Sequence, residues 1–425
     1  MIIVDENYGG FENKNYSSYK GFNAVNQNYI YSRSLRKPIN NSSEIKKENE
    51  LMEKVIYFDG LGRPKQSIAI RAGGNLEDLV TPFQYDPFGR QVKDYLPYAE
   101  VSQGGPLLLN PLAAQSSFYN SEKYENTSNP YSEKALEASP LNRLTAQGAP
   151  GDAWALGGGH ELEFAYQTNK LNEVRHLEVS YQNGDYRKPQ LSESGYYSEG
   201  SLYKIVTYDE EHLSGGNHST EEFKNKQGQV ILKRTYANTD TQTEEAHDTY
   251  YLYDDYGNLT YVLPPKMEAS NAALNTLIQA LPDLGYQYNY DQRNRLVEKQ
   301  LPGKGKEYIV YNQLDQPILT QNALQRESAT WLYTKYDAFN RVISTGKYIN
   351  TSTDQESMDM TVQTYYENTG NNTYEEKYGM GYTNRTFPTT NISVLTENFY
   401  DSYNFDMANI DIPRSNIYSK LIETT

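Results

Sequence analysis

The chain has 425 residues, a net charge of −16 and no cysteine. That charge argues against a nucleic-acid or anionic-membrane surface, and the missing cysteines exclude disulfides, thiolate catalysis and Cys-based metal sites. No run of about 18 apolar residues occurs, so no segment reads as a membrane-spanning helix.

Residues 1–50 are polar and rich in Asn, Ser and Tyr, and read as an extended arm with a short helix over Glu44 to Met52. Residues 51–103 hold two hairpins. Residues 104–160 are a Pro/Gly-rich insertion expected to lie across a sheet, with a helical piece around Ala113 to Tyr124. Residues 161–265 return to strand patterns, in ELEFAYQ, EVRHLEVSY, SLYKIVTYD and QVILKRTY, and end on Pro264-Pro265, which stops a strand. Within them Phe223 to Gly228 reads as a repeat one residue longer than the others. Residues 266–285 carry one amphipathic helix, with Leu274, Leu277, Ile278 and Leu281 on a shared face. Residues 286–348 hold the best-ordered repeats. Residues 349–425 read as a divergent β segment, with strands in TVQTYYEN and LTENFYDSYNF, and the chain as a truncated array, because stacked units need capped ends.

The repeat is a hairpin signature. An aromatic (Phe58, Tyr85, Tyr253, Tyr290, Tyr311, Tyr336) is followed by Asp59, Asp86, Asp254, Asp291, Asn312 or Asp337. Four places after the aromatic stand Gly62, Gly89, Gly257, Asn294, Asp315 and Asn340, the residue types that tolerate a left-handed backbone. This spacing predicts a type I turn closing on a G1 bulge, with the Asp side chain capping the turn's own amides. Arg63, Arg90, Arg295 and Arg341 come next. Two places before the aromatic lie Ile56, Phe83, Tyr251, Tyr288, Ile309 and Thr334, so that face is expected to be the apolar one. Hydrophobic content is only 37%, and the 41 tyrosines are expected to supply much of the burial in a thin sheet.

The sequence offers no catalytic arrangement, no metal site and no cofactor site. His160, His176, His212, His218 and His247 lack the spacing of a helical zinc site. Asp254-Asp255 lacks the alternating ligands of a calcium loop, and Gly157-Gly158-Gly159 does not open a helix as a phosphate loop does.

These units resemble the YD repeats of bacterial Rhs and YD-repeat proteins. The stretches Val55 to Ile70, Phe83 to Tyr98, Glu137 to Trp154 and Tyr250 to Lys266 resemble the amino-terminal half of a secreted Rhs-like subfamily, and the likeness runs from Leu51 to Met407. It implies a mainly β chain whose antiparallel hairpins form part of a long curled sheet, a hollow shell that encloses a C-terminal toxin. It further implies a non-enzymatic scaffold, secreted or at the cell surface, partnered by the remainder of the same polypeptide and its cargo. Asp86-Pro87-Phe88-Gly89 superficially matches the family's self-cleavage motif, but it falls in register with the other turns and reads as one of them. The alternative is an adhesion or carbohydrate-binding module that uses tyrosine faces on a surface glycan. The amino-terminal MIIVDENYGG carries no signal-peptide pattern.

Overall fold

The computed structural model describes residues 27–36, 51–212, 215–238, 244–352, 354–370 and 372–401. The arm of residues 1–50 lies outside them except for 27–36, as does all but Met52 and Leu51 of the helix expected over 44–52, and those two open a strand. The fold is mainly β. Among the described residues twenty-one strands belong to one antiparallel sheet. Its pairings follow chain order almost throughout, as they must when each strand is joined to the next by a tight turn. The chain divides into two compact units.

In the first unit, strands Tyr29–Leu35, Leu51–Phe58, Pro64–Ile70 and Asp78–Gln84 pair in succession. The last of these pairs along one half with Tyr98–Glu100 and along the other with Lys93–Tyr95. Lys93–Tyr95 continues the sheet into Tyr131–Leu136 and Leu144–Gly148. The core is Val55, Tyr57, Ile68, Ile70, Val80 and Tyr98, covered by Leu107, Leu108 and Phe118. Each such side chain, once buried, contributes about 1.5–3 kcal/mol. The covering residues come from the Pro-rich stretch and its helix α1, Pro111–Tyr119. Asp78 ties that stretch down, because its carboxylate accepts from the Gly105 amide at 3.2 Å, the Ser102 hydroxyl at 2.6 Å and the Arg71 amide at 2.9 Å. The Pro-rich stretch is therefore an insertion only in its first part. Residues 131–148 form a further hairpin of the sheet.

In the second unit, Arg175–Tyr181 and Pro189–Tyr196 form a separate two-stranded ribbon. Strands Leu259–Leu263, Tyr286–Tyr290, Leu296–Gln300, Glu307–Tyr311, Pro317–Gln321, Thr330–Tyr336, Val342–Ile349 and Ile392–Glu397 pair in sequence. One core gathers Val174, Leu191, Phe223, Leu232, Tyr250, Leu263, Leu277 and Leu281. Another gathers Val310, Leu319, Trp331, Tyr333, Met358, Val362 and Tyr366. Tyrosine does fill the interior, with Tyr57, Tyr98, Tyr250, Tyr333 and Tyr366 among the largest fully buried side chains.

Several expectations are corrected. The amphipathic helix α2 spans Leu274–Leu284 and buries Leu277 and Leu281, while Ile278 stays exposed; the residues before it form a short turn of 3₁₀ helix, Pro265–Met267, that ends on Glu268 in a left-handed conformation. After a short helix α3, Ala323–Glu327, the stretch TVQTYYEN falls in α4, Gln355–Thr369, and is not a strand. Met358, Val362 and Tyr366 recur every four residues and bury one helical face, Asp354 caps the first turn by accepting from the Ser357 amide at 2.8 Å, and Gly370 ends it with φ 72°. Packing of that face overrides the β preference of Thr, Val and Tyr. The predicted strand LTENFYDSYNF is realised only as the end of Ile392–Glu397, and its residues beyond 401 lie outside the described set. Finally, the buried face of the hairpins is the other one. In the Phe58, Tyr253 and Tyr336 hairpins positions one and three before the aromatic are buried (Tyr57 and Val55, Leu252 and Tyr250, Lys335 and Tyr333), in the Tyr85 and Tyr311 hairpins only Pro82 and Val310 are, and Ile56, Phe83, Tyr251, Tyr288, Ile309 and Thr334 are all half-buried.

Candidate functional site

The recurring feature is the turn. Each of the six predicted turns has one geometry. The amide of the Asp or Asn donates to the carbonyl four residues on, and the amide three residues on donates back, as in Asp59 with Arg63 at 2.9 Å and Gly62 at 3.1 Å. The side-chain Oδ1 accepts from the amides two and four places later, at 2.9 Å from both Leu61 and Arg63 in that turn. The ladder shifts register by one residue at five of the six aromatics, Phe58, Tyr253, Tyr290, Tyr311 and Tyr336. The fourth position is left-handed in all six, with φ from 58° at Asn294 to 86° at Gly257. This is the G1-type closure that the spacing predicts.

The second carboxylate oxygen selects the residue four places on. In the Asp59, Asp86, Asp291 and Asp337 turns, Oδ2 accepts from the Nε of Arg63, Arg90, Arg295 and Arg341 at 2.7–2.8 Å. In the Asp254 turn it accepts from the Asn258 amide at 2.9 Å. Where the turn residue is Asn312, its amide nitrogen is a donor, and the fourth residue is Gln316, whose Oε1 accepts at 2.6 Å. Acceptor is matched to donor in either direction. Hydrogen bonds from the Arg63 amide and guanidinium hold Asp59 below its usual pKa; Asp86 and Asp337 are also lowered, their arginines outweighing the opposing effect of burial.

Consecutive turns are joined. The residue that closes one turn donates to the left-handed residue of the next: Asn258 to Asn294 at 3.0 Å, Arg295 to Asp315 at 2.8 Å, and Gln316 to Asn340 at 2.8 Å. The repeat tyrosine reaches back across the same step. The hydroxyls of Tyr85, Tyr290, Tyr311 and Tyr336 donate to the carbonyls of Pro64, Leu259, Leu296 and Pro317, all at 2.9 Å. Arg63 lies over the Tyr85 ring at 4.3 Å and Arg295 over the Tyr311 ring at 4.7 Å, so each guanidinium binds its own turn and the next hairpin's aromatic. Burial pushes the Tyr290 hydroxyl up to about 12.

All eighteen predicted positions thus fall in turns or at strand ends of one kind, and Asp86-Pro87-Phe88-Gly89 is a turn like the rest. Two further members depart from the alignment on the aromatic. Asn225 and Gly228 (φ 83°) make the same turn with Gln229, and Lys224 stands at the aromatic place; the unit is not one residue longer. Glu137 to Arg143 is a turn two residues longer, in which Arg143 grips Glu137 through Nε and Nη2, holding that carboxyl down at about 2, and lies over the Tyr166 ring at 4.4 Å. Tyr400 donates to the Val342 carbonyl at 3.0 Å, and Asp401 (φ 65°) accepts from Arg341 at 2.7 Å. The matched pair four places apart, Asp with Arg or Asn with Gln, is the signal that finds Asn225.

The polar clusters weighed for chemistry serve the fold. Asp254 is occupied by its own turn. The Gly157 and Gly159 amides bind the Glu161 carboxylate at 3.2 and 2.8 Å. His212 Nδ1 pairs with the Asn217 carbonyl and His218 Nδ1 with Asp209. Among the described residues no group of three or more His, Asp or Glu is placed to hold a metal ion, and no helix is long and apolar enough to cross a membrane. A shallow cleft is lined by Tyr181, Tyr186, Asp254, Tyr256, Tyr288 and Tyr290, among others.

Residues 10–168 match a family described as a domain of unknown function, DUF6443. No curated protein matches the chain. Among solved structures the chain is similar to TcdB2-TccC3-TEV, at 13% identity and a TM-score of 0.46 over 76% of this chain and 13% of that one. It is also similar to the Photorhabdus luminescens Tc holotoxin pore carrying a TccC3 mutation, at 13% identity and a TM-score of 0.47 over 85% of this chain and 16% of that one. The chain spans less than a fifth of the length of either.

Proposed function

We propose that this chain is a non-enzymatic scaffold, a stretch of wall in an Rhs/YD-type shell that encloses and delivers an effector carried by the remainder of the same exported polypeptide. The observation that carries this reading is the turn ladder. Hairpin after hairpin is closed by the same side-chain cap and tied to its neighbour through Arg, Gln or Asn and through a tyrosine hydroxyl. Such an edge makes a sheet stiff and extensible by repetition, and a wall needs both properties. The recurring chemistry of each unit is directed at its own turn and the next unit.

The glycan-binding reading has less behind it. Tyr85, Tyr290, Tyr311 and Tyr336 are half-buried and pinned by their hydroxyls to backbone carbonyls, and the Tyr85 and Tyr311 rings already carry the Arg63 and Arg295 guanidiniums, which leaves less open ring face for a sugar. Enclosure is tested by fusing a protease-sensitive unstructured reporter after Thr425. Digestion of the fused reporter should be at least about tenfold slower than that of the free one, since cleavage follows the accessible population. Equal rates would remove enclosure by this stretch. Quenching of the intrinsic fluorescence by soluble glycans at millimolar concentration or below would favour the binding module instead.

A further inference from the structure

The second unit buries an ion pair that the wall does not require. Lys335 lies on strand Thr330–Tyr336 with its side chain 5% exposed, and Glu375 is fully buried beside it. Lys335 Nζ donates to Glu375 Oε1 at 2.8 Å, to the side-chain oxygen of Asn384 at 2.6 Å and to the Thr386 carbonyl at 3.0 Å. The other lone pairs of Glu375 accept from Thr383 Oγ1, the Arg385 amide, and both the amide and Oγ1 of Thr386. Backbone contacts hold the group in register: the Glu375 amide donates to the Tyr336 carbonyl at 2.8 Å, and Glu375 bridges to Asp337.

An amine in contact with both a carboxylate and a primary amide supplies the parts of an amide-transfer reaction. We propose that Lys335 and Asn384 join in an isopeptide bond, with Glu375 taking the proton that the amine must give up. The contact from Nζ to the Asn384 oxygen puts the amide carbon no more than about 3.9 Å from Nζ, since a C=O bond is about 1.2 Å long. Only a small rotation separates that from the roughly 3–3.5 Å of a near-attack arrangement. Burial draws the Lys335 amine below its usual pKa, which favours the nucleophilic form. Glu375 Oε1 accepts one proton from Nζ. The freed lone pair attacks Cγ of Asn384, the Nζ–Cγ bond forms and the Cγ–Nδ2 bond breaks. The leaving nitrogen takes the proton held by Glu375 and a second from Nζ, and departs as ammonium. No oxidant or co-reactant is needed. Asn384 is exposed, so the product escapes directly to water. The four remaining donors keep Glu375 paired as a carboxylate after the cation is gone. The bond would close a loop of about 50 residues, containing α4, in a chain that has no cysteine for a disulfide.

The test is the intact mass of the purified chain. The expected mass is lower than that of the sequence by one ammonia, with a branched peptide joining residues 335 and 384 after proteolysis. Lys335→Arg and Asn384→Ala should each restore the full mass, and Glu375→Gln should slow the loss by roughly 100-fold or more. A wild-type mass equal to that of the sequence overturns the proposal without any variant. A deficit that persists in Lys335→Arg overturns it too, because Asn384 would then have cyclised onto its own backbone.

Discussion

The two hairpins of residues 51–103 and the three of residues 286–348 close with the same turn but fill its left-handed position differently. The first pair uses Gly62 and Gly89, and the later three use Asn294, Asp315 and Asn340. Glycine adopts a positive φ without steric cost but has no side chain to offer. Asn and Asp accept a modest strain and gain an oxygen. In the first pair the tie between hairpins is therefore the Arg63–Tyr85 contact and the Tyr85 hydroxyl. In the later three, side-chain hydrogen bonds from Asn258, Arg295 and Gln316 are added to the tyrosine hydroxyls. A Cβ at Gly89 would sit 3.0 Å from Arg63 Nη1, so in the first pair too the closing residue passes over the next turn and simply finds no partner there. One position thus does two jobs in the later hairpins and one in the earlier.

Acid should break this comparison most strongly. Asp59, Asp86, Asp315 and Asp337 all lie below their ordinary pKa. Groups of this kind stabilise the fold fully above the unfolded carboxylate value of about 4, and that stability is lost as pH falls through their lowered folded values. The cap of the Asn312 turn and its Gln316–Asn340 link contain no titrating group, and the one carboxylate in that turn, Asp315, is bound by Arg293 and Arg295. Amide protection at Arg63, Arg90 and Arg341 should therefore fall between about pH 5 and pH 2, while that at Gln316 holds longer. Equal loss at all four would show that the carboxylates do not control their turns.

Next in size is the left-handed position itself. Gly257 has φ 86°, and a Cβ there would stand 3.3 Å from Gln229 Nε2. Gly257→Val should cost about 1–3 kcal/mol in thermal or urea unfolding, because a β-branched residue resists that backbone. Gly257→Asn converts a turn of the first kind into one of the second and should cost less than about 1 kcal/mol. A valine variant as stable as wild type would remove the turn assignment.

The complementary pairing comes third. Asp337→Asn sets an amide nitrogen against Arg341 Nε and should lose roughly 1–2 kcal/mol. Adding Arg341→Gln recreates the Asn312–Gln316 arrangement and should recover part of that loss, after allowing for the lost contact of Arg341 with Asp401. Additive losses would mean that the pairing carries no energy of its own.

Much of this was legible in the sequence because a turn is local. Aromatic, Asp and glycine at fixed spacing encode the cap, the register shift and the left-handed residue within five positions. The unit at Asn225 was read one residue too long because Lys224 stands at the aromatic place and Phe223 was aligned there instead, although Asn and Gln four apart set the register. What depended on distant packing was misread. TVQTYYEN has strand-forming residues, and only the core of Trp331 and Tyr333 makes helix the better state for Val362 and Tyr366. The choice of buried face also escaped, because both faces of these strands carry tyrosine, as Tyr250 and Tyr251 show on adjacent positions, the first buried and the second half-buried.

The finest distinction is whether Asn340 is there for its backbone or for its oxygen. Asn340→Gly removes the acceptor of Gln316 Nε2, worth about 0.5–1.5 kcal/mol. It also relieves the left-handed strain and loosens the unfolded chain, two effects of similar size and opposite sign. The net change in stability should therefore be about 1 kcal/mol or less, too small to decide by itself. The coupling to Gln316→Ala decides. If the oxygen matters, the two variants are non-additive by roughly 0.5–1 kcal/mol, because the second removes a bond already lost. If Asn340 serves only its positive φ, the effects add, and the later hairpins reduce to the glycine kind with a different residue in the same place.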